Sequence, residues 1–134
     1  MTSKHVTTFM ITFVIWLVFF LFGLPSDYYQ TWTYSAQVWL SVFAFSLLLP
    51  LTYLVLDKVW KENYLKNSLW LAFYGSVPLT IYDYVYVGLM QGAGHSYIFS
   101  HWYLSIFYLI VWVEIPFVGW LMDRRIVFRK EIAR

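Results

Sequence analysis

The sequence predicts an all-α integral membrane protein: a four-helix antiparallel bundle forming one membrane domain over residues 1–134, with both termini cytoplasmic. Three observations predict it. The chain is 61% hydrophobic and only 12% charged, about half the charged share of a typical soluble domain. Four apolar stretches each approach the roughly 20 residues that a helix needs to cross a bilayer. Finally, all nine Lys and Arg residues lie outside those stretches and on one side of the implied topology.

The first span covers about 6–24. Lys4 followed by an apolar run has the look of a signal peptide, but the run is long and GLPSD offers no small-x-small cleavage site, so a retained helix is expected. The second span, 38–56, contains Pro50. The third, 68–90, contains Pro78 and the stretch TIYDYVYVG, which alternates like a strand. Spanning strands must close into a barrel, because unpaired backbone groups are too costly in lipid. Four segments are too few for one, so the stretch is expected to be helical. The fourth span, 102–122, contains Pro116. Local kinks are expected at these three prolines. The basic tail 123–134, DRRIVFRKEIAR, carries the apolar insert Ile126–Phe128, as expected of a juxtamembrane helix lying on an anionic inner leaflet.

Orientation follows from the cations. Lys4 precedes the first span, Lys58, Lys61 and Lys66 lie between the second and third, and Arg124, Arg125, Arg129, Lys130 and Arg134 follow the fourth. The other two connectors contain none, which places the termini and the middle connector in the cytoplasm. Aromatic belts agree: Trp32, Trp39, Trp102, Tyr28, Tyr29 and Tyr34 fall near the outer boundary, and Trp60, Trp70 and Trp120 near the inner one. Trp16 and Trp112 lie deeper, where they either fill space between helices or face lipid or a ligand.

Cysteine is absent, which excludes disulfides, thiol nucleophiles and thiolate metal sites. No GxSxG, HExxH, P-loop or GxGxxG occurs, and no basic, aromatic-interleaved groove suggests nucleic acid. The residues with chemical interest are the acids Asp83 and Glu114, deep in the third and fourth spans. Mid-helix insertion of an Asp costs roughly 2.5–3.5 kcal/mol, so such a residue is expected to face the bundle interior. No Lys or Arg lies within any span. Each acid is then either protonated and donating a hydrogen bond, or compensated from outside by water, a metal, a cationic ligand or another subunit. Their different depths argue against a paired-carboxylate centre.

Ser76, Thr80 and Asp83 share a helical face. They form either a polar seam gluing the third helix to a neighbour or a ligand or proton site. Glu114 shares a face with Tyr103, Phe107 and Ile110. His101 is placed as an outer-side partner of Asp83 through water. An outer metal site of Asp83, His95 and His101 is conceivable, but its spacings match no ligand motif, and no cofactor is expected. Gly88 and Gly92 form a GxxxG, which close helix packing or a turn explains equally well.

The length and four spans are similar to those of the small multidrug-resistance transporters. Those proteins place their essential Glu in the first helix, where this chain has no ionisable residue between His5 and Asp27. A looser similarity joins the acids and outer histidines to four-helix sterol-isomerase-type proteins, with no motif that aligns.

Two functional expectations follow. One is an accessory subunit of a membrane complex, or a binder of an apolar small molecule through an intrabundle polar site. Its partners are the lipid bilayer and another membrane protein or a second copy of the chain. The other is a proton-coupled carrier or intramembrane enzyme on a lipidic substrate, using Asp83 and Glu114.

Overall fold

The computed structural model describes residues 3–134, and every regular element among them is helical. In order these are α1 (Ser3–Gly23), α2 (Tyr34–Val55), α3 (Tyr64–Asp83), the single turn α4 (Tyr97–Ser100) and α5 (Trp102–Ile132). Helices α2 and α3 each run on into a wider π-helical stretch, Leu56–Trp60 and Tyr84–Met90. Their signatures are the i+5 bonds from Lys61 N to Leu56 O (2.8 Å) and from Gln91 N to Tyr86 O (3.0 Å). The helices run unbroken through Pro50, Pro78 and Pro116, because the carbonyl each proline frees is the only bond lost.

Three helical stretches, Ser3–Ser26, Tyr34–Trp60 and Trp102–Ile132, are long and apolar enough to cross a membrane. The distribution of residues is compatible with insertion into lipid. Phe22, Phe43, Leu109 and Val113 are exposed, whereas Thr8, Thr52, Ser68 and Asp83 are almost wholly buried. Soluble domains show the reverse preference.

Helix α3 is less apolar because it is the central element. It packs against α1 and α5 and buries Asn67, Ser68, Ser76 and Asp83. Against α5 the approach is close: a Cβ on Gly119 would lie 2.6 Å from Ser68 Oγ and 2.7 Å from Tyr64 O. Asp123 of α5 accepts hydrogen bonds from the N–H groups of Tyr64 and Leu65 (3.1 and 2.9 Å) and so caps α3. Lys4 reaches Trp60 O (3.2 Å) and Glu62 (3.7 Å) at the same end. The opposite end gathers the turn after α1, Gln91 and Ser100–Tyr103.

The segment 123–132 is helical, as expected, and continues α5 without a break. The GxxxG resolves as a turn. Gly92 has φ of +76°, and Gly88 sits against its own Tyr84 ring and Gly94 O.

Candidate functional site

Asp83 is the last residue of α3, where the α-helix widens, and is only 2% exposed. Among the described residues no basic side chain forms an ion pair with it. Its carboxyl group instead accepts three hydrogen bonds from side chains distant in sequence. Trp16 Nε1 of α1 donates to Oδ1 at 2.9 Å. The Tyr28 hydroxyl donates to the same oxygen, and the Tyr108 hydroxyl of α5 donates to Oδ2. Within the chain the acid is thus met by hydroxyl and indole donors. Phe20, Tyr82 and Tyr86 pack around the donors, with Trp16 stacked on Phe20 at 5.0 Å and Tyr28 edge-on to Tyr86 at 5.2 Å.

Tyr28 reaches the acid through an unusual turn. Asp27, Tyr28 and Tyr29 have φ of 50°, 55° and 69°, three successive non-glycine residues in the left-handed region. Each such residue costs roughly 1–2 kcal/mol, so the turn persists only because its surroundings over-determine it. Tyr28 N donates to Gly23 O (2.7 Å), Gln37 Nε2 to Tyr29 O (2.9 Å), the Tyr29 hydroxyl to Phe19 O (2.5 Å) and Gln91 Nε2 to Asp27 Oδ1 (3.0 Å). The Tyr103 hydroxyl donates to Tyr28 O and accepts from Gln30 Nε2 at 3.1 Å. Gly23 is required here, because a Cβ would stand 2.7 Å from the Tyr28 ring. Burial, followed by the neighbouring Asp83 carboxyl, pushes the Tyr28 hydroxyl pKa well up; the same causes push Tyr29 up to about 12.

A cleft runs from this cage along the molecule. α1 packs on α3 and α2 on α5, whereas α1 and α2 barely touch. Between them lie two half-open cavities of about 80 and 60 Å³, sharing Ile15, Phe19, Ala44, Leu79 and Phe107 as walls. The first has Asp83, Tyr28, Tyr103 and Tyr108 at its polar end. The second is closed by Leu71, Val111 and Ile115 and is apolar apart from Thr12 and Thr52. Both threonine hydroxyls donate to carbonyls of their own helices.

The other predicted residues are placed as follows. Tyr103 joins the site by lining the cleft and holding the Tyr28 backbone. Ser76 and Thr80 do not form an interhelical seam. Their hydroxyls donate within α3, to Ala72 O and Ser76 O at 2.7 Å each, as hydroxyls one turn from a carbonyl do. His101 shares a hydrogen bond with Ser100 Oγ (2.9 Å) and packs against the Tyr28 and Tyr103 rings, and burial lowers its pKa. It touches the site through those rings and makes no bond to Asp83. His95 stacks on Tyr84 at 5.6 Å. Among the described residues no three His, Asp or Glu side chains gather as metal ligands, so the Asp83, His95 and His101 set does not assemble. Glu114 lines neither cavity. It lies about 9 Å along α5 from Tyr108, and its Oε2 is buried without a partner.

The sequence reading missed Tyr28, Trp16 and Tyr108 as partners of the acid. One signal was available for Trp16: an indole N–H deep in an apolar span needs an acceptor, and acceptors other than backbone are scarce there. No family model, curated protein or solved structure matches the chain, and the geometry around Asp83 is therefore the basis for any functional reading.

Proposed function

We propose that this is a multi-pass membrane protein of four spanning helices with both termini cytoplasmic, and that it binds an apolar ligand in the cleft between α1 and α2. The observation that carries the reading is a pair of adjoining apolar cavities, the first of which ends at one hydrogen-bonded acid. Ligand sites share this pattern: apolar walls with few, well-placed polar groups. Because α1 and α2 do not close on each other, an apolar molecule has a lateral way in from the bilayer.

Support for a fourth span comes from α3. Its 20 residues reach about 30 Å, and its polar side chains are buried by neighbouring helices, where lipid does not meet them. The orientation is supported by Lys4, Glu62 and Asp123 meeting at one end, beside the cation-bearing connector and tail. Asp83 then lies toward the outer side. A joint proton relay through Asp83 and Glu114 gains no support from the separation of the two acids.

The test is native mass spectrometry of the protein purified in mild detergent. The wild type should carry a bound apolar molecule. Ala44→Trp, which fills the shared wall of both cavities, should lose it while keeping its helicity. An adduct that survives Ala44→Trp, or a wild type without any adduct, refutes the cleft as a binding site.

A further inference from the structure

Asp83 is surrounded by donors only. A carboxylate offers about four acceptor positions. Trp16 and Tyr28 occupy two on Oδ1, and Tyr108 occupies one on Oδ2, which leaves a fourth position open on a residue that lines the cleft. Hydrogen bonds to a carboxylate are about twice as strong as neutral ones, but burial opposes a lone charge, so a buried carboxylate calls for a cation beside its donors. Yet among the described residues no Lys, Arg or His forms an ion pair with it. The two salt bridges, Lys4–Glu62 and Lys58–Asp57, lie away from the site. The neighbouring walls present aromatic side chains, among them Phe19, Phe45 and Phe107. Aromatic faces attract cations through their quadrupole, most strongly where water is excluded.

From this arrangement, and resting on the cleft reading above, we propose that the ligand is a single-chain amphiphile with a cationic ammonium head, the head placed at Asp83 Oδ2 and the chain laid along the α1–α2 cleft. An ammonium group supplies both the missing donor and the missing positive charge. A hydroxyl head supplies the donor alone. A carboxylate head supplies neither and is repelled. The size of the space selects the shape. At about 80 Å³ the cavity beside Asp83 is smaller than the roughly 150 Å³ that accommodates benzene in an engineered core. Because the cavity is half-open, an unbranched chain can place its head and first methylenes inside and lay the rest along the open gap between α1 and α2, whereas a fused-ring skeleton is too wide to enter.

The test compares three probes of one chain length, dodecylamine, dodecanol and dodecanoate, each added at matched mole fractions to the protein in neutral detergent micelles. The readout is the thermal unfolding midpoint. Dodecylamine should raise the midpoint, with half of its effect at a concentration roughly tenfold or more below that of dodecanol, the ratio expected for a charged hydrogen bond over a neutral one. Dodecanoate should give no rise. Ala44→Trp should abolish the rise, which separates cleft binding from a change in micelle charge. Asp83→Asn should bring dodecylamine level with dodecanol; if that variant does not fold, the wild-type ranking still decides. If dodecanol matches or exceeds dodecylamine in an Ala44-sensitive manner, the cationic head is refuted and the cleft reading survives. If no probe raises the midpoint, or every rise persists in Ala44→Trp, both fail.

Discussion

Replacing Tyr108 by Phe removes one hydroxyl and little else, so it isolates a single bond of the Asp83 cage. Among the described residues that hydroxyl is the only donor to Oδ2. A hydrogen bond to a charged group contributes about 1.5–3 kcal/mol in soluble proteins, and interhelical bonds in membranes run lower, at roughly 0.6–2 kcal/mol. A loss of about 1–2 kcal/mol is therefore expected for Tyr108→Phe. Asp83→Asn should cost more, because an amide turns an NH₂ group toward at least one of three donors that now find an acceptor. The decisive quantity is the coupling between the two. In the double variant the Tyr108 bond can no longer be lost twice, so the combined effect should fall short of the sum by about 1 kcal/mol or more. Reversible unfolding of the reconstituted protein in mixed micelles with sodium dodecyl sulfate, followed by far-ultraviolet circular dichroism, measures all four species. Additivity within about 0.5 kcal/mol would mean that Tyr108 and Asp83 do not interact, and the cage as described would be wrong.

Two further outcomes are expected. Gly119→Ala places a methyl group 2.6 Å from Ser68 Oγ and 2.7 Å from the Tyr64 carbonyl oxygen. It should destabilise the α3–α5 contact by about 1–3 kcal/mol in the same assay, and wild-type stability would show that the helices do not approach so closely. The second concerns pH. The Tyr28 and Tyr29 hydroxyls are raised by burial and by Asp83, Tyr29 to about 12. The unfolded chain releases these protons first, near pH 10, so their stabilisation is complete below that pH and is lost as pH rises through the folded value. A tyrosinate absorbance titration should show a late class that ionises together with loss of helicity. A single class ionising near pH 10 in fully helical protein would contradict the burial of this turn.

Much of the architecture is legible in local residue patterns. The runs 6–24, 38–56 and 102–122 are apolar enough that their helical, lipid-compatible character follows from composition and from the need to satisfy every backbone N–H and C=O group within the segment. The Tyr64–Met90 segment was harder to place, because its serines, tyrosines and acid dilute its hydropathy. Its helicity was nonetheless predictable, since no barrel was available to accept a strand. That Asp83 must be sheltered from lipid follows from the cost of exposing it there. The wide π-helical turns at Leu56–Trp60 and Tyr84–Met90, and the straight passage of the tail out of α5, have no clear local signature.

What compensates Asp83 was decided by tertiary structure alone. Its donors lie 67, 55 and 25 positions away in sequence, on two other helices and in one loop. Sequence periodicity reports which face of a helix a residue occupies, and says nothing of which neighbour that face will meet. The left-handed turn at Asp27–Tyr29 shows the same limit more sharply. Three successive residues, two of them tyrosines, disfavour that backbone, and contacts from Phe19, Gly23, Ser26, Gln37, Gln91 and Tyr103 hold it. Solvation and the satisfaction of backbone bonds act on each residue according to its own chemistry, so they can be read along the chain. The pairing of one acid with three particular donors arises only when distant segments are packed together.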